Sequence, residues 1–246
     1  MPLQPAFTRL SPVPPDPSRI SGDDIADMLE AGKEVKACMQ ALERVGLNLV
    51  GEVLKGQGTF VELEHYPKDD VFDEATYSQY YYHAHRSETG EHGHFHTFLR
   101  AGGMPPRTHP LDDPLVSECW PRGDEAIAHL VGISMDAWGR PIGLFAVNRW
   151  VTGETWHPAA SVIEMLPRFE IAHAWPSWPL NRWISAMLRL FRPQIHRLLH
   201  HRDAVIDAWR KTLPGQDILE HRDLELTGYL PISVDDWIAS LERWTP

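Results

Sequence analysis

The sequence predicts an α+β fold: an antiparallel sheet of about five strands, built from hairpins and flanked by a long N-terminal helix and C-terminal helices. Three observations carry this. Before residue 55, apolar residues recur at three- and four-residue steps, the period of a helix with one buried face. Between residues 59 and 150, β-branched and aromatic residues alternate with polar ones around glycine-containing turns. After Thr155 the alternation stops and helical spacing returns. Strands gathered between helices describe α+β rather than a parallel α/β sheet.

Residues 1–20 form a proline-rich arm, in which missing donors and a fixed φ favour an extended chain. Residues 21–246 read as a single α+β domain, with a helix over 22–54, a sheet over 59–150 and a helical part over 158–246. Ser21 and Asp24 have capping-box spacing, and Ile25, Met28, Leu29, Val35, Cys38, Leu42, Val45, Leu49 and Val53 supply the apolar face of the first helix. Gly56 and Gly58 end it. Thr59–His65 alternates and reads as the first strand, and 67–75 as an acidic loop in which Asp69, Asp70 and Asp73 are turn residues. A hairpin follows over Tyr80–Arg100, and a second over Ala126–Asp136 and Ile142–Trp150. Leu180–Lys211 is a long helix with a break at Pro193. One of its faces is basic, carrying Arg182, Arg189, Arg192, Arg197, Arg202, Arg210 and Lys211, a surface for an anionic substrate or an acidic partner. Ser233 and Asp236 start a terminal helix.

A hydrophobic content of 43% and ten tryptophans, in 246 residues, argue for a folded globule. The net charge of −11 speaks against general affinity for nucleic acid or an anionic membrane. Cys38 and Cys119 lie in no CxxC arrangement and read as free thiols in a reducing compartment. No basic leader precedes an apolar stretch, and no apolar run reaches the roughly 18 residues of a membrane span. The expectation is a soluble, cytoplasmic protein that meets a small molecule, with room for homo-oligomers.

The first hairpin carries the chemistry. His83, His85, His92, His94 and His96 put five histidines in fourteen residues of a chain with 14 in all. Ordinary composition would put about one in such a window. Residues two apart on a strand share a face, so His83 pairs with His85 and His94 with His96. A turn centred on Gly90 sets His85 opposite His94 and His83 opposite His96, with Glu88 and Glu91 at the rim. Convergent neutral imidazoles suit a divalent transition metal: Zn, Fe, Ni, Cu or Mn. His83, His85, His94 and His96 are therefore the candidate ligands, and Glu88 or Glu91 the fourth ligand or the general base of a hydrolase or oxygenase. His129, on the next strand, is a candidate fifth member, and Arg86 and Arg100 flank the pairs. A non-enzymatic protein that responds to a metal or small ligand would use the same cluster.

HGHFHTF at His92–Phe98, followed by Gly102 and Gly103, also resembles the strand of the histidine-triad nucleotide hydrolases and transferases. That resemblance implies nucleophilic attack on an α-phosphate by the middle histidine, His94, with His92 and His96 in support. Gly93 stands where the family carries an apolar residue.

Overall fold

A computed structural model describes residues 15–85 and 90–244. Most of the proline-rich arm, and both Arg86 and Glu88, lie outside the described residues.

The first helix begins as its cap spacing implies: Ser21 accepts the Asp24 N–H, and α1 runs over Gly22–Glu43. It does not continue to residue 54. Gly46 turns the chain at φ +72°, and Asn48 caps a separate short helix, α2 (Leu49–Leu54), by accepting the Gly51 N–H. The unbroken apolar periodicity concealed this interruption.

The sheet has six strands rather than five, every neighbouring pair antiparallel, in the order β1 to β6. They are β1 (Tyr66–Asp73), β2 (Ser78–His83), β3 (Gly93–Arg100), β4 (Ile127–Met135), β5 (Pro141–Val147) and β6 (Leu226–Pro231). Two of these correct the sequence reading. The first strand is the stretch read as an acidic loop, whereas 59–65 is irregular. β1 lies on the sheet edge, where a proline and unpaired charged residues are tolerated, and a register shift between Tyr66 and Val71 accommodates them. Two acids of this stretch are spent locally. Asp73 accepts the N–H groups of Ala75, Thr76 and Ala172, while Asp70 meets His65 and Gln79. The sixth strand lies inside the part read as helical. It returns after α3 (Arg149–Thr152), α4 (Ala159–Met165), α5 (Trp178–Leu190) and α6 (Arg192–Thr212), and α7 (Val234–Glu242) follows it.

One face of the sheet is apolar and packs on helices. Tyr80, Tyr82, Phe95, Leu99, Leu130 and Leu144 join Met28 and Val35 of α1 and Trp183, Ile184 and Met187 of α5 in one core. Tyr80 donates its hydroxyl to Asn181 at 2.6 Å, so the core's buried phenol keeps a partner. Part of the basic helical face meets α1: Arg182 pairs with Glu34, Arg189 with Asp27 and Arg192 with Asp24. These three guanidiniums link α5 and α6 to α1. No helix among the described residues is long and apolar enough to cross a membrane.

Candidate metal centre

The second face of the sheet carries the imidazoles. In the first hairpin His83 lies opposite His94, Tyr82 opposite Phe95 and Tyr81 opposite His96. Next across the sheet, His94 faces Ser134, His96 faces Gly132, and Gly132 faces Phe145 of β5. Opposed residues share a face, so Tyr81, His83, His94, His96, Ser134 and Phe145 stand together while Tyr82 and Phe95 enter the helical core. The register differs by two residues from a turn centred on Gly90, because β2 stops at His83 and β3 starts only at Gly93. A shift of two preserves the face of every side chain, whereas a shift of one would have reversed it.

His83, His94 and His96 are buried, and one nitrogen of each lies within 4.8 Å of the other two. Their ring centroids are 4.5 Å apart for His83–His94, 5.2 Å for His83–His96 and 5.0 Å for His94–His96. His85 is half-buried at the rim, 5.0 Å from the His83 ring and 5.1 Å from that of His94. Phe145 closes another side, 5.0 Å from His94 and 5.4 Å from His96. The Tyr81 ring stacks on His65 at 3.6 Å and leans on His83 and His96. Gly132 makes room for this wall: a Cβ there would stand 2.2 Å from Phe145 Cζ.

Two of the three rings are held from behind. Glu91, itself buried, accepts from His94 Nδ1 at 2.6 Å. A carboxylate can only accept, so that nitrogen carries a proton, and in the neutral ring Nε2 carries the lone pair. His96 Nδ1 lies 3.0 Å from His129 Nε2, and one proton is shared between them. Burial, then the Arg202 charge, pushes His129 down to about 3, so it is neutral at physiological pH. Beyond His129 comes Glu154, whose Oε2 accepts the His129 backbone N–H at 2.6 Å. Burial pushes Glu154 up to about 7, against the lowering pull of Arg202, the His129 N–H, Arg149 and Thr152. Arg202 lies 4.1 Å over the Trp156 ring, pairs with Asp203 and donates to the His157 carbonyl.

Of the residues expected from sequence, His83, His94 and His96 converge, His85 borders them, and Glu91 stands behind His94. Glu88 lies outside the described residues. His92 leaves the group: it precedes β3, its Nδ1 lies 2.7 Å from the Tyr82 hydroxyl, and its ring stacks near Phe60. The three histidines of the His-x-His-x-His run therefore do not share a face. His129 joins the centre through His96. Sequence reasoning missed Phe145, Glu154 and the space left by Gly132. A glycine inside a strand pattern signals close approach, and Gly132 carried that signal, whereas Glu154 had none.

No curated protein and no solved structure gives a match to the chain. One family model does, over residues 29–232, a range that runs from within α1 to just past β6 and includes every histidine of the cluster. By that match the chain belongs to the family described as a domain of unknown function, DUF6969.

Proposed function

We propose that His83, His94 and His96 bind one divalent transition-metal ion, and that this centre is the working site of the protein. The observation that carries the reading is the approach of three buried imidazole nitrogens to within 4.8 Å. Around a tetrahedral ion with metal–nitrogen bonds of about 2.0–2.1 Å, ligand nitrogens stand about 3.3 Å apart. Small ring rotations would close that gap. Zn, Fe, Ni, Cu and Mn all accept imidazole, and the donor set does not choose among them.

The outer partners support the same reading. A carboxylate on the far nitrogen of a ligand histidine fixes its tautomer and raises its basicity, and Glu91 is placed to do this for His94. His129 would accept from His96 in the same way. Glu91 thus serves as a positioning residue rather than a fourth ligand or general base. Three protein nitrogens leave a coordination position for water or substrate, the arrangement of a catalytic centre for hydrolytic or oxidative chemistry on a small molecule. His85 decides that point: as a fourth ligand it would close the site and make it one for sensing or storage. The departure of His92 from the cluster weighs against the histidine-triad nucleotide transferase.

The test is elemental analysis of protein purified without an affinity tag, beside a His94→Ala/His96→Ala variant whose fold is checked by circular dichroism. The expected result is near-stoichiometric metal in the natural chain and none in the folded variant. A folded natural chain that holds no ion, even after reconstitution with each of the five metals, would sink the proposal.

A further inference from the structure

A second site lies away from the clustered histidines. The connection between β3 and β4 arches over a cavity of about 560 Å³ whose lining includes none of the metal-centre residues. Cavities of about 300–1,000 Å³ are the usual size for small-molecule sites. The Leu111 N–H donates to the Trp156 carbonyl at 2.8 Å, pinning the arch to the body of the fold. Met104, Leu111, Val116 and Trp120 give the walls an apolar character, and three prolines stiffen them.

The polar groups lining this space are two threonines, His157, the buried Trp120 Nε1, which has no hydrogen-bond partner among the described residues, and the charged Arg107, Asp112, Asp113 and Arg122. The hydroxyls of Thr108 and Thr155 donate to the Pro105 and Pro121 carbonyls and are spent. His157 is 2% exposed and lines the cavity. Its Nδ1 lies 2.8 Å from the Thr155 carbonyl, and because a carbonyl only accepts, Nδ1 carries the proton. Burial lowers the His157 pKa, outweighing the Thr155 bond, and Arg202 lowers it further. The neutral ring therefore keeps a lone pair on Nε2, for which the described residues supply no hydrogen-bond donor. At the mouth, Arg107 and Arg122 are exposed. Asp113 pairs with Arg210, and Asp112 is the second acid of the lining.

We infer that this cavity binds a small apolar carboxylate bearing a hydroxyl at its far end, the hydroxyl donating to His157 Nε2 and the carboxylate meeting Arg107 and Arg122. A monoanion fits the two exposed guanidiniums, and an aromatic or branched aliphatic body fits the walls. The inference is independent of the metal centre, since it uses none of those residues.

Titration calorimetry on the full chain tests it with three probes: para-hydroxyphenylacetate, phenylacetate and para-hydroxyphenylethanol. The first carries both polar groups and each of the others lacks one. Loss of a hydrogen bond of ordinary strength predicts about fivefold weaker binding of phenylacetate. The uncharged alcohol should weaken by a similar factor and lose its salt dependence. An Arg107→Ala/Arg122→Ala variant, changed only at exposed positions, should bind para-hydroxyphenylacetate no better than the alcohol. As a readout that needs no substitution, the imidazole nitrogen resonances of His157 should move with para-hydroxyphenylacetate and much less with phenylacetate. Absence of binding by all three probes would overturn the inference. So would equal binding of the three, or affinity unchanged in the arginine variant.

Discussion

Gly132→Ala is a one-carbon test of how tightly the imidazole face is built. The added Cβ would stand 2.2, 2.4 and 2.5 Å from three atoms of the Phe145 ring, about 1 Å inside ordinary contact. Phe145 is fully buried and lies 5.0 Å from His94 and 5.4 Å from His96 by ring centroids, so its retreat is blocked by the cluster. Overpacking of this kind costs about 1–3 kcal/mol, and replacing a strand glycine returns about 0.5–1 kcal/mol of backbone entropy. With three ring atoms in conflict the cost falls at the upper end, for a net loss of about 2 kcal/mol. For a chain of this size that lowers Tm by about 4–8 °C. Urea unfolding of the natural chain, Gly132→Ala, Phe145→Leu and the double variant completes a cycle that isolates the contact. Phe145→Leu should be costly alone and nearly harmless when Gly132→Ala is already present, because the smaller side chain vacates the contested space. A Gly132→Ala protein as stable as the natural one, or a cycle with no coupling, would refute this account of the wall.

Two further predictions concern the groups behind the rings. Glu91→Gln keeps the shape but replaces a charged acceptor 2.6 Å from His94 Nδ1; metal affinity, read by competition with a chromophoric chelator, should fall about 10- to 100-fold with metal stoichiometry retained. Unchanged affinity would remove Glu91 from the centre. Glu154, pushed up to about 7 by burial, binds its proton more tightly in the folded than in the unfolded chain. Its effect is absent below the ordinary carboxylate range, and stability is lost as pH rises from there through about 7, by up to about 3 kcal/mol. Glu154→Gln can still accept the His129 N–H, so it should gain stability relative to the natural chain between about pH 5 and about pH 8 in denaturant titrations. A constant difference across that range would contradict the assigned shift.

The helices and the central strands were legible because their signals are local. Capping by Ser21 and Ser233, and the alternating runs at β2 to β5, follow from neighbours in sequence. The edges of the sheet were not legible. β1 is a charged stretch with a proline, and β6 is a six-residue run containing glycine and proline between helical segments. Each is a strand because an already formed neighbour pairs with it, at β2 and at β5 respectively. Such context overrides intrinsic preference. The pairing of three arginines of the basic helical face with α1 was hidden for a similar reason. Whether Arg182, Arg189 and Arg192 face a partner or the acids of α1 depends on packing between segments more than a hundred residues apart in sequence.

The histidine cluster stands between these cases. Its face was readable even though its register was not, since strand periodicity is two and the displacement was also two. How the flanking groups are used was not readable, because it turns on individual contacts: His85 at the rim, Glu91 behind His94, His129 behind His96. Burying imidazoles on one face while the other is filled with tyrosine, phenylalanine and leucine has a physical consequence. Each buried ring requires hydrogen bonds or ring packing to offset its lost hydration, and each such contact also restricts how it can turn. The interactions that make His94 and His96 tolerable inside the fold are therefore the same ones that aim their second nitrogens. If the ion is absent, these contacts should still hold the rings in place; if it is present, the ordering has already been done before binding, which favours affinity. Comparing the imidazole nitrogen spectra of chelator-treated and reconstituted protein separates these states: Nδ1 of His94 should remain protonated in both, while the Nε2 resonances move.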